Sequence, residues 1–276
     1  MFPLYKARNM ETLKNRNAVI YGAGGSLGGA VAKALAEAGA KVFLTGRRMG
    51  SVQTVANDIL KSGGFAEAEV VDALDEDAVN KHMDRIVKKS GRVDISFNAV
   101  GSDIVMNIPL VDISLDDFVS PISMTMRTRF ITAKAAAKVM MKQRSGVILT
   151  LTATPGGIGY PYTGGFAAAC AAVENFSRNL AIELGIFGIR VVNMRSGGSP
   201  DSRVFKNAID TQPEVMAPII RQMEADTILK KLPLMADIAN LAVFLSSDSA
   251  GKITGVTVDV SSGTTAGFNY RVQPLG

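Results

Sequence analysis

The sequence predicts an α/β fold: a doubly wound parallel sheet with helices on both faces. Three observations carry this. Short apolar runs alternate with helical stretches along the chain, the pattern of successive βαβ units. Right-handed crossovers between parallel strands leave few topologies, and the doubly wound one ranks first. Near the N-terminus, Ala18-Val-Ile-Tyr21 is followed by Gly22, Gly24, Gly25 and Gly28, then by Leu27, Val31 and Leu35 at helical spacing. That is a strand buried on both faces, a glycine turn and a helix.

The strands are expected at roughly 17–22, 41–45, 68–72, 93–99, 146–152, 189–194 and 255–260. In the first βα turn, glycine tolerates positive φ, and without a Cβ it lets the backbone approach a pyrophosphate. The helix N-terminus adds free N–H groups. This points to a dinucleotide site; the plain alternative is a glycine-rich turn without a ligand. Gly39 stands where a left-handed helix cap belongs. Strand two ends in Leu44-Thr-Gly-Arg47-Arg48. NAD would call for an acid near here to hold the ribose 2′-OH, whereas two guanidinium groups match a 2′-phosphate. The expected cofactor is therefore NADP(H), against the alternative of arginines merely solvated at a strand end.

Asp72, at the end of strand three, either holds the adenine amino group or caps the following turn. His82 lies among Lys81, Asp84 and Arg85 on an amphipathic helix and reads as solvated. Phe97-Asn98-Ala99-Val100-Gly101 places small residues where the chain passes close to a ligand. Ser114-Leu-Asp-Asp117 is a capping box that opens a helical region running to about Lys142. The loop from Thr152 to Gly165 follows strand five and should floor a reaction pocket, because ligands of open sheets bind beyond the carboxyl ends of the strands. The small residues after Phe166 suit close helix packing, including against a second subunit. Segment 199–230, with Pro200, Pro213 and Pro218, reads as a mobile lid.

Composition narrows the function. The 276 residues, 47% hydrophobic, suffice for one large domain with a buried core. We expect a flexible arm at 1–14, in which Met10 would also be a natural start, a single Rossmann-type domain at 15–266, and a tail at 267–276. No apolar run is long enough to span a bilayer and no signal peptide is evident. A single cysteine favours a reducing, cytoplasmic setting, and with one histidine it argues against a metal site. The net charge of +5 is scattered among acids, without a basic stripe, so nucleic acid is not the expected partner.

Taken in order, the glycine turn, Asp72, Phe97-Asn-Ala-Val-Gly101, Gly188-Ile-Arg-Val-Val-Asn193 and Ile253-Thr-Gly255 resemble the short-chain dehydrogenase/reductase family over about residues 15–266. The resemblance implies a seven-stranded sheet of order 3-2-1-4-5-6-7, a nicotinamide cofactor, and homodimers or homotetramers through the helices after strands four and five. It also implies a cofactor-binding set of Gly22, Gly24, Ser26, Leu27, Gly28, Arg47, Arg48, Asp72, Ala73, Asn98, Ala99, Gly101 and Ser202. Ser26 stands where the family carries its middle glycine. The family's catalytic Asn, Ser, Tyr and Lys fall on Thr125, Ala153, Phe166 and Cys170, all changed. The proline that usually follows strand six is replaced by Gly197.

Phe166 has no proton to give and Cys170 no fixed charge, and loss of general acid–base help costs about 10² to 10⁴ in rate. One reading is an oxidoreductase with a rebuilt site acting on a small carbonyl or conjugated compound. Tyr160 and Tyr162 are then candidate proton donors, although as loop aromatics they more simply pack against the lid. Cys170 reads as a small apolar residue in preference to a nucleophile. Arg127, Arg129 and Arg195 are candidates for an acidic substrate, with solvation as their ordinary role. The other reading is a catalytically inactive protein that binds cofactor or serves as a regulatory or structural partner.

Overall fold

A computed structural model describes residues 12–266. Seven strands form one parallel sheet of order β3-β2-β1-β4-β5-β6-β7. They are β1 (Asn17–Tyr21), β2 (Lys41–Gly46), β3 (Phe65–Val70), β4 (Ile95–Asn98), β5 (Gly146–Ala153), β6 (Ile189–Ser196) and β7 (Thr257–Val260). The helices are α1 (Ser26–Glu37), α2 (Met49–Lys61), α3 (Glu76–Ser90), α4 (Leu115–Gln143), α5 (Gly165–Gly185), α6 (Arg203–Thr211), α7 (Pro213–Ala225) and α8 (Met235–Ser246). None of the described helices is long and apolar enough to cross a membrane.

Strand β1 shows why the topology was readable. All of its residues are buried. Ala18 and Ile20 join the core that holds Val31 and Leu35 of α1, Val52 of α2 and Leu245 of α8. Val19 and Tyr21 join the opposite core, with Met83 of α3, Met140 of α4 and Leu184 of α5. Side chains alternate between faces, and helices cover both faces, so the run is apolar without alternation. The left-handed Gly39 and the Ser114 cap also appear: Asp117 donates its backbone N–H to Ser114 Oγ at 3.1 Å, and α4 ends at Gln143.

Some expectations need correction. Strand β3 spans Phe65–Val70, not 68–72, because its ladder with β2 begins at Phe65 opposite Lys41. Asp72 therefore lies beyond the strand. Leu13, assigned to the arm, is fully buried, and its N–H donates to Ala38 O at 2.8 Å. The packed region thus reaches into the expected arm; residues 1–11 and the tail at 267–276 lie outside the described residues. The 199–230 segment holds two helices, α6 and α7, with no buried residue in either.

His82 is also corrected. It is 3% exposed, on the inner face of α3 with Val79, Met83 and Ile86, and packs edge-on to Tyr21 with ring centroids 6.4 Å apart. Burial pushes its pKa down from 6.5 to about 4, against the opposing pull of Glu69. A histidine kept neutral when folded but free to protonate when unfolded stabilises fully above about pH 6.5 and loses that contribution as pH falls toward 4. Replacing His82 with Leu should therefore flatten the fall in urea-unfolding stability between pH 6.5 and 4, by up to about 3 kcal/mol at the acid end. An unchanged slope would show that another group sets it.

Candidate functional site

Strand order reverses between β1 and β4, and a crevice opens beyond their carboxyl ends. Its floor is the β1–α1 turn. Gly22 has φ +76°, and a Cβ on it would lie 2.8 Å from the Ala99 and Val100 backbone. A Cβ on Gly24 would strike Ser51 Oγ at 2.3 Å, and one on Gly28 would meet Gly22 O at 2.3 Å. No larger side chain fits at these three points, so the turn keeps a bare backbone facing the crevice and α1 pressed against it.

Of the expected cofactor set, Gly22, Gly24, Arg47, Arg48, Asp72, Ala73, Ala99 and Gly101 line this crevice. Ser26, Leu27, Gly28, Asn98 and Ser202 do not. Ser26 Oγ instead accepts the N–H of Arg203 at 3.0 Å, tying the glycine turn to the start of α6. Asn98 is 4% exposed and braces α4 from within: its amide donates to Thr128 O and Thr132 Oγ1, while its carbonyl accepts from Val100 N. Asp72 Oδ1 accepts the N–H of Leu74 at 3.0 Å, the local turn cap weighed against adenine contact. Sequence reasoning missed Thr45, Ser51, Met124, Thr128 and Arg203 in the lining. Met124 and Thr128, one turn apart on α4, had a readable helical spacing; Arg203 comes in only through tertiary folding.

Thr125, Ala153, Phe166 and Cys170 do not line the crevice. Thr125 Oγ1 faces Ser102 Oγ at 3.4 Å. Cys170 is buried on α5 beside the Ala153 backbone, and burial raises its thiol pKa, so it stays protonated at neutral pH and is no nucleophile. Phe166 is half-buried one turn earlier. Neither Tyr160 nor Tyr162 lines the crevice; they are 38% and 54% exposed.

Two arginines expected to be solvated are not. Arg195 bonds both oxygens of Glu174 on α5 and reaches Asp259 Oδ2 at 2.8 Å, while Thr152 Oγ1 donates to Glu174 Oε1 at 3.0 Å. The turn after β5 lies on this network: a Cβ on Gly157 would meet the Arg195 guanidinium at 2.5 Å. Arg129 is 5% exposed, and its Nη1 donates to Asn98 Oδ1 at 2.5 Å and Val100 O at 2.9 Å. Burial lowers its pKa to about 10. Arg127, by contrast, is exposed as expected.

A parallel doubly wound sheet with a glycine-floored crevice at its switch point defines a dinucleotide-binding class of protein. Within that class, a family model described as Enoyl-(Acyl carrier protein) reductase matches residues 22–265. The chain belongs to the short-chain dehydrogenase/reductase family, and with it to a group of oxidoreductases that use a nicotinamide cofactor. It is similar to the 3-oxoacyl-[acyl-carrier-protein] reductase FabG of Escherichia coli, 30% identical over 246 residues that cover 89% of this chain and 96% of that one. The solved structure of levodione reductase is 26% identical with a TM-score of 0.85, covering 92% of this chain and 99% of that one. NAD+-bound xylitol dehydrogenase, 24% identical over 91% of this chain and 99% of that one, shares the fold with a TM-score of 0.84.

The Glu174–Arg195 pair joins α5 to β6. Glu174→Gln removes the charge opposite a largely buried guanidinium, and should lower stability by about 2 kcal/mol in urea unfolding. A loss within about 0.5 kcal/mol, the usual surface value, would mean the network bears little of the packing there.

Proposed function

We propose that this protein is an NADP(H)-dependent oxidoreductase with a non-standard active site, acting on a small carbonyl or conjugated compound. The observation that carries the cofactor choice is the pair Arg47 and Arg48 lining the crevice at the end of β2, where no acid stands to take a ribose 2′-OH. The residues fit the cofactor: the glycine turn leaves room for a pyrophosphate against bare backbone, and the arginines offer a 2′-phosphate two cations. When bound, the cofactor supplies the hydride, which is the hard part of the chemistry. What remains for the chain is binding, orientation and the proton.

Proton handling is where the reading departs from the family. Thr125, Ala153, Phe166 and Cys170 stand where the resemblance places the Asn, Ser, Tyr and Lys. The hydroxyl that would serve as acid is missing, and no ammonium stands behind it. Positioning alone can sustain hydride transfer at reduced rate. Helices α6 and α7, tied to the glycine turn through Ser26, are proposed as the lid over the reaction end. Phe130 on α4, Ile182 on α5 and Ile186 just past its end are 50%, 73% and 73% exposed, which supports a homodimer or homotetramer through those helices.

The exchange at Phe166 and Cys170 also favours a second reading, a cofactor-binding protein without turnover. NADPH fluorescence titration and a carbonyl and conjugated-enone panel separate the two. Tight NADPH binding with turnover supports the oxidoreductase; binding without turnover, unchanged in Tyr160→Phe and Tyr162→Phe, supports the second. For the cofactor itself, the double variant Arg47→Ala, Arg48→Ala should weaken NADPH by about tenfold or more while moving NADH by less than about twofold. Equal losses for both nucleotides would mean the arginines do not read the 2′-phosphate.

A further inference from the structure

Arg129 is a buried cation without a counter-ion. Among the described residues, no carboxylate lies within ion-pair distance of it, although it is 5% exposed. Arg195, the other guanidinium near the reaction end, is held by Glu174 and Asp259. Taking an unpaired charge out of water costs several kcal/mol, so such groups are ordinarily paired. The hydrogen bonds of Arg129 leave it short: Nη1 donates to Asn98, Val100 and Thr128, all neutral, while Nε is buried with no partner.

Its place in the fold shows where the missing anion would sit. Arg129 rises from α4 one residue after Thr128, and both Thr128 and Val100 line the crevice. Cys170, a neutral thiol on the first turns of α5, lies near enough to feel the Arg129 charge. The guanidinium thus stands between the β4 end and the head of α5, at the reaction end. A carboxylate there would satisfy Nε and neutralise the charge in one bidentate contact.

We propose that Arg129 binds a carboxylate of the substrate, so that the substrate class is carbonyl compounds bearing a carboxylate. This rests on the oxidoreductase reading above and narrows it. The guanidinium replaces water around the carboxylate and fixes the end of the substrate that does not react.

The test uses the full chain loaded with NADPH. Pyruvate, acetoacetate and levulinate, and the methyl ester of each, are titrated by calorimetry. At least one acid should bind about tenfold or more tightly than its ester, a difference of about 1.4 kcal/mol. Because Arg129 also braces Val100, the readout in variants is the acid-to-ester ratio and not absolute affinity. Arg129→Gln should bring the ratio to about one, and Arg129→Lys, which keeps charge but loses the fork, should leave it between. The proposal is overturned if no acid outbinds its ester in the wild type, or if the ratio survives Arg129→Gln while overall affinity falls, the signature of a purely structural brace. Should Arg129→Gln fail to fold by circular dichroism, a full ratio in Arg129→Lys overturns it equally. Repeating the titrations without NADPH separates the two readings: acid preference without NADPH binding removes the oxidoreductase reading alone, and NADPH binding without acid preference removes this inference alone.

Discussion

The crevice depends on the close approach of the β1–α1 turn to the end of β4. Gly22 turns with a positive φ directly under the Ala99–Val100 backbone, and there is no space there for a side chain. This contact requires β1 and β4 to be neighbours, which in turn requires the strand order to reverse between them. The crevice is a consequence of that reversal: crossovers leave in opposite directions and their loops part. Asn98 then fastens the same point from the other side: its amide nitrogen donates to Thr128 and Thr132 of α4, and its oxygen accepts the N–H of Val100. A flat stretch of bare backbone is thus held between two helices without a side chain entering it.

Arginines near the crevice handle charge in different ways. At the β2 end, Arg47 and Arg48 are exposed and solvated, so their charge costs little until a ligand arrives. At the α4–α5 end, the guanidinium of Arg129 is buried among neutral partners and burial depresses its pKa. The neighbouring Arg195 shows the ordinary solution, a carboxylate on either side. That contrast underlies the proposed anion site, beside which burial raises the pKa of the Cys170 thiol.

Much of the fold was legible before any coordinates. The continuous apolar run of β1, the glycine turn and the strand–helix alternation carried the doubly wound parallel sheet, the family resemblance implied its strand order, and Ser114 and Gly39 marked their caps where expected. Boundaries at the sheet edge were less so: β3 carries alternating small and acidic residues, and only its ladder with β2 set its start at Phe65. His82 was misread for a related reason. Its charged neighbours lie on the outer face of α3, while Val79, Met83 and Ile86 share its own face and were the signal for burial.

By itself, then, the sequence determined the architecture and the list of small residues that the turn and the crevice need, because backbone conformation and burial on two faces leave periodic marks along the chain. It also determined which chemical groups are absent at Phe166 and Cys170. Only the tertiary structure decided how the remaining charges are spent. Whether an arginine is solvated, paired or stranded depends on what distant segments bring to it, and Arg129, Arg195 and Arg127 look alike in one dimension. Packing of α5 and β6 supplied the carboxylate to one of them, and no described segment supplied it to Arg129.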